Sequence, residues 1–224
     1  MTTEIAMRVS GFLYLYILAS WAAMGLLGSR IGMGDYDSDA ELIKISDSPK
    51  KFQIRIVIAL VDHAAIIVLA IMLFIAFGPY SIILGIFWTA FRTGEGWILI
   101  YSEKDYWGLL NIARQYSVAS GAEKNSLSDK ALTNLQTRDS IFKFTQLLWG
   151  VGTLALSIVL VTTGVVPHFI GWLGIGTGIL GILYNGLFLV KHDYKVLLFI
   201  GVLFALPFEV IFGVWLLFFS HNIP

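Results

Sequence analysis

At 224 residues, 57% apolar and only 13% charged, the chain carries about half the charge expected of a soluble domain, which excludes an ordinary globular protein and implies several membrane crossings. A formal net charge of zero, with no basic patch interleaved with aromatics, excludes a nucleic-acid binder. The absence of cysteine excludes disulfides, thiolate metal sites, a cysteine nucleophile and S-acylation.

Mean hydropathy is +0.79, and the apolar residues gather in six continuous runs at roughly 9–28, 53–77, 80–102, 142–164, 169–190 and 196–219. Each is long enough to cross a hydrocarbon layer of about 30 Å as a helix. The runs do not alternate as barrel strands do, and a helix satisfies its backbone polar groups internally. The expected fold is therefore all-α: a polytopic integral membrane protein, a bundle of six transmembrane helices. With no Pro/Ser-rich linker, residues 1–224 read as a single domain.

The first run begins near the N-terminus, but it outlasts a signal-peptide core and has only Arg8 before it, so it reads as a retained span. A polar loop follows at about 29–51. Within it Asp35-Tyr36-Asp37-Ser38-Asp39 resembles the start of a calcium loop, yet Ala40 stands where the turn needs Gly and Ser46 where it needs Glu. A solvated acidic loop is the expectation. Spans two and three join through Gly78-Pro79, and four and five through Val166-Pro167-His168, which predicts two tight antiparallel hairpins. The second polar loop, at about 103–141, carries Leu127, Ala131 and Leu135 at helical spacing, so span four should project beyond the bilayer, with Ser126 as N-cap. Gly174 and Gly178 in span five predict close helix packing. Pro207 should kink span six beside Glu209. Trp107 and Trp172 read as interfacial anchors.

Arg30, Lys44, Lys50, Lys51, Lys104, Arg114, Lys124, Lys130, Arg138, Lys191 and Lys195 fall on one face and Arg8 on the other. By the positive-inside rule the loop-bearing face is cytoplasmic and both termini are outside.

The candidate site lies at the midplane. Asp62 and His63 fall near the middle of span two, Arg92 and Glu95 near the middle of span three, and Glu209 near the middle of span six. An unpaired Arg at that depth costs from about 3 to over 10 kcal/mol, so the carboxylates are its expected partners. Three carboxylates against one Arg would leave an exchangeable proton in the bundle. Gly94 and Gly96 would let span three break or admit a close neighbour. Tyr184 and Asn185 in span five are further candidates for lining a cavity, or for an interhelical hydrogen bond.

Three functions are open on this evidence. The first is small-molecule or proton-coupled transport or binding at Asp62, His63, Arg92, Glu95 and Glu209. The second is an intramembrane metal-dependent hydrolase using His63, Asp62, Glu95 and Glu209, although Arg92 would repel a cation and no H-E-x-x-H motif exists. The third is a structural or assembly protein whose charged centre only orients helices. The reading leans against an enzyme, expects no cofactor, and takes the lipid bilayer and a small-molecule ligand or proton as partners. His168, His192 and His221 lie away from the midplane, and no nucleotide-binding or serine-hydrolase motif is present.

The opening Arg8-Val9-Ser10-Gly11-Phe12-Leu13-Tyr14 resembles the R-x-x-G-x-x-Y start of the small prokaryotic membrane proteins catalogued as domain of unknown function 4386. Asp62, Phe91-Arg92, Pro167 with Gly171 and Gly174, and Glu209 with Trp215-Leu216-Leu217 resemble the same pattern. The resemblance implies a six-helix protein of a prokaryotic inner or plasma membrane, without an established activity. It also implies termini inside, because such proteins tend to carry basic residues in the short turns. Here those turns hold no Lys or Arg, and the chain's own charges point the other way.

Overall fold

The computed structural model describes residues 2–29, 32, 34, 36–190 and 195–219, and among them it contains helices and turns but no strand. α1 (Thr3–Leu26) starts where the Thr2 hydroxyl accepts a hydrogen bond from the Ile5 amide, at 3.4 Å. α2 (Ser38–Asp47) is capped by Asp37, which accepts from the Ala40 amide at 3.0 Å. Pro49 opens α3 (Pro49–Phe77), a position where its missing N–H leaves no bond unmade. A 3₁₀ turn at Gly78–Tyr80 reverses the chain into α4 (Ile82–Trp107). α5 (Leu109–Tyr116) is short. α6 (Gly121–Thr163) runs 43 residues, about 65 Å, until Gly164 takes the left-handed conformation that ends it. Pro167 then precedes α7 (His168–Leu189), and α8 is Lys195–Phe218.

Five of these helices, α1, α3, α6, α7 and α8, are long and apolar enough to cross a membrane. α4 has 26 residues, but Arg92, Glu95 and the small residues between them dilute its apolar character, so the expected six spans are matched by five on this measure. The side chains are disposed inside-out. Large apolar groups such as Phe12, Ile83, Leu203 and Val210 face outward, where a soluble protein of this size would not display them. The chain is a multi-pass membrane protein.

α1, α3, α4, α6, α7 and α8 each pack against the next, and α8 returns to α1, so the six close a ring. Connectivity makes neighbours antiparallel, and both predicted hairpins form. Glycine sets the closest approaches. A Cβ on Gly178 would lie 2.8 Å from the Leu154 backbone nitrogen, and one on Gly11 2.5 Å from the Gly213 carbonyl oxygen. The expectation for Gly174 and Gly178 therefore holds.

Three expectations need correction. The segments at about 29–51 and 103–141 are not simple polar loops. α2, α5 and the first turns of α6 fold over one end of the ring around a second core of Leu42, Ile45, Leu110, Ala113, Leu127, Ala131 and Leu135. Short helices with one apolar stripe become stable only against each other, which is why they escape a search for long runs. α6 starts at Gly121 behind Ser120 and not at Ser126, because the stripe at Leu127 continues from a polar first turn. α4 is continuous through Gly94 and Gly96. Gly96 instead admits a neighbour, since a Cβ there would meet Ile67 Cγ1 at 2.5 Å. Pro207 lies inside α8, which is one helix from Lys195 to Phe218. Arg30, Asp35, Lys191, His192, Asp193 and His221 lie outside the described residues.

Candidate functional site

Arg92 lies ten residues into α4, about 15 Å from its start, and Glu209 lies nine residues from the end of α8, at nearly the same depth. Antiparallel packing across the ring thus brings them to one level. Gly152 of α6 makes room for the arginine: a Cβ there would sit 2.8 Å from Arg92 Cγ. The guanidinium Nη1 donates to Glu95 Oε2 at 2.5 Å, one helical turn away on the same face. Arg92 is 9% exposed and Glu95 1%. Glu209 and Asp62 also lie within electrostatic reach of this one guanidinium.

Arg92, Glu95 and Glu209 border a cavity of about 460 Å³. Tyr184 and Asn185 line it too, and Asn185 Nδ2 donates to the Gly181 carbonyl of its own helix at 2.8 Å, so it is not the interhelical link considered above. The cavity rises to the capped end of the ring, where Lys143 and Gly32 border it. Lys143 is twenty residues from the end of α6 and so stands about 15 Å above the level of Arg92. Lys143 Nζ is 3.4 Å from Asp139 Oδ2. Asp139 Oδ1 accepts from the Gly32 amide at 2.7 Å and from the Tyr36 hydroxyl at 2.8 Å. Burial and that hydrogen bond raise the Tyr36 phenol above its ordinary range, so it remains a donor.

Asp62 and His63 diverge because consecutive helical residues point about 100° apart. Asp62 turns to α1, where the Ser20 hydroxyl donates to Oδ1. His63 turns to α4: Nε2 is 3.5 Å from Glu103 Oε1, and Nδ1 is 3.7 Å from Asp62 Oδ2. Glu103 Oε1 accepts from Arg138 Nη2 at 2.6 Å, and the Arg138 guanidinium lies 3.6 Å from the centre of the Tyr106 ring. This second polar group sits between the ring and its cap. Among the described residues neither His63 nitrogen makes a hydrogen bond of good geometry, and His63 does not border the cavity.

The four candidate metal ligands therefore do not surround one point. Among the described residues no group of three or more His, Asp and Glu side chains is disposed to hold a metal ion.

Lys143, Gln146 and Trp149 also border the cavity but were not singled out in the sequence. The signal was there: Asp139, Lys143, Gln146, Trp149 and Thr153 follow at intervals of three or four, a polar stripe down one face of α6. It crosses the boundary between polar segment and apolar run, which hid it.

Residues 9–219 match the family described as domain of unknown function (DUF4386). The chain belongs to that family. The resemblance first drawn from Arg8, Gly11, Arg92, Pro167 and Glu209 thus extends over nearly its whole length. No curated protein and no solved structure matches this member of the family.

Proposed function

We propose that this DUF4386 member is a six-span protein of a prokaryotic cell membrane that binds a small molecule in the cavity between α1, α4, α6, α7 and α8 and couples its passage to a proton. α4 is the sixth crossing in this reading. It is held antiparallel between α3 and α6, and at about 39 Å it is long enough, with Arg92 and Glu95 turned into the ring.

The observation that carries the reading is the cavity itself. A charged cluster that served only to orient helices needs no free volume beside it. Here Arg92, Glu95 and Glu209 border about 460 Å³ that continues to the level of Lys143, a size suited to a small ligand. With more carboxylates than guanidinium at the floor, a proton or a charged ligand changes the local balance, which is the requirement for coupling.

The test is a ligand-stabilisation screen on the purified protein, followed by uptake, efflux and proton-flux measurements in proteoliposomes. Ligands should raise the unfolding temperature of the wild-type protein by mass action and lose that effect in Glu209→Gln. A folded Glu209→Gln protein that matched wild type in every binding and flux measurement would sink the reading. Charge-removing variants that lower stability alone would point to a structural or assembly role.

A further inference from the structure

The cavity's charges are unevenly matched. Arg92 is engaged by Glu95 at 2.5 Å, and Lys143 by Asp139 at 3.4 Å while also lying 3.0 Å from the centre of the Phe188 ring. Glu209, half-buried on the opposite wall, has no ion-pair partner within 4.0 Å among the described residues. The carboxylate bordering the cavity without a close counter-charge is thus Glu209, and the cations bordering it already have theirs.

The rest of the wall is aromatic and aliphatic. Trp21, Phe142, Trp149 and Tyr184 border the same space, and α7 and α8 complete it with side chains such as Leu180 and Val202. Aromatic faces attract organic cations, and most strongly where water is excluded. An anion entering here would meet Glu209 and Glu95 before any free positive charge. A neutral molecule would leave Glu209 with the Trp149 indole as its hydrogen-bond partner and Arg92 within electrostatic reach, but with no cation beside it among the described residues.

Resting on the proposed cavity function, we infer that the ligand is a lipophilic organic cation, a bulky ammonium or phosphonium-type molecule whose charge is held by Glu209 and the ring of Trp149. The cation and a proton then compete for one carboxylate. The groups that face Glu209 and shape that competition are Tyr14 from α1, Asp62 from α3, Arg92 and Glu95 from α4 and Trp149 from α6, which hydrogen-bonds to it, with Lys143 and Tyr184 bordering the same cavity nearer the cap. Exclusive occupancy of Glu209 by one or the other is the arrangement that exchange of a cation for a proton requires.

Tetraphenylphosphonium and tetraphenylborate share a shape and differ in charge, so the pair separates this inference from the reading beneath it. Binding is followed by tryptophan fluorescence and equilibrium dialysis on the full-length protein in nanodiscs, with empty nanodiscs as blank. The phosphonium should bind saturably, and its affinity should fall at least about tenfold in Glu209→Gln and several-fold in Trp149→Leu. Wild-type affinity should also fall as the pH is lowered from about 8 to about 5.5, where the proton competes. That arm needs no variant, so an unstable Glu209→Gln leaves the inference testable. Saturable borate binding without phosphonium binding overturns the cation assignment and keeps the cavity as a ligand site. Binding of neither ion overturns both. Phosphonium affinity unchanged by pH or by a folded Glu209→Gln overturns the role of Glu209.

Discussion

Replacing Arg92 by Gln should be far more damaging than replacing its partner Glu95 by Gln, and the asymmetry measures how the cluster is built. The two side chains are 9% and 1% exposed and their closest atoms are 2.5 Å apart. Two unit charges about 4 Å apart attract by about 4 kcal/mol at an effective dielectric of about 20, and removing one partner of a buried pair typically costs about 3–5 kcal/mol. Arg92→Gln strands Glu95 and also removes a positive charge within reach of Glu209 and Asp62, so the upper end, about 4–5 kcal/mol, is expected. Glu95→Gln keeps a hydrogen-bond acceptor and leaves Arg92 two other carboxylates, so about 1–3 kcal/mol is expected. The double variant should fall short of the sum by about 2–3 kcal/mol, since residues in one ionic network couple. The assay is reversible unfolding in mixed micelles, read for wild type, both single variants and the double. Equal losses below about 1 kcal/mol that simply add would show the guanidinium to be solvated, and the reasoning would be wrong.

Three further outcomes are expected. Gly94→Ala, with nothing within 4 Å of the new Cβ, should stabilise by about 0.5–1 kcal/mol, whereas Gly96→Ala, which meets Ile67 Cγ1 at 2.5 Å, should destabilise by about 1–2 kcal/mol net; thermal melts in detergent decide, and equal effects would mean α3 and α4 are not packed as described. Hydrogen bonds from Ser128 and Tyr116 hold the exposed Asp39 carboxyl below its ordinary value, so the link from α2 to α6 is present above about pH 4 and lost as pH falls through the lowered value; amide exchange in α2 should rise there, and Asp39→Asn should abolish that dependence. Charge counting puts the termini outside, so in this cysteine-free chain Thr2→Cys should react with an impermeant maleimide on intact cells and Ser117→Cys should not; the reverse pattern would favour the orientation implied by the family resemblance.

The spans were legible because hydrocarbon thickness imposes a length, and the runs ending at Phe77, Thr163 and Phe218 meet it without reference to any neighbour. The cap was not legible, because α2 and α5 have ten and eight residues and only a minor part of the shared core shows in any one segment. Leu127, Ala131 and Leu135 announced a stripe, but its partners Leu42, Ile45 and Leu110 lie far away in the chain. Counting depth placed Arg92, Glu95 and Glu209 at one level, and side chains at one level can face one another across a ring of antiparallel helices. Depth says nothing about azimuth, and so it grouped His63 with a cavity that His63 does not border. Asp62, one residue earlier, keeps its electrostatic link to Arg92 while bonding to Ser20.

The same contrast in side-chain size accounts for the cavity and for what transport through it would demand. Where small residues meet, the helices touch: Gly11 against Gly213 and Leu217 joins α1 to α8, and Gly171 against the backbone of Val161 joins α7 to α6. These crossings lie in the half of the ring away from the cap. Toward the cap α7 is less tightly held at two positions, with the nearest atom to a Cβ on Gly201 at 3.9 Å and on Gly186 at 4.0 Å. The ring is packed tightly at the end away from the cap, and Glu209 stands where that packing begins. Directly beyond it, the rings of Phe208 and Phe212 lie 5.5 Å apart, with Tyr14 5.5 Å and Phe77 6.1 Å from Phe212. Interlocked rings of this kind are held by packing as well as by burial. The cavity runs from the level of Lys143 to Glu209 without crossing these rings, whereas a path from Glu209 to the uncapped face would have to move α8 against α1 and part that cluster.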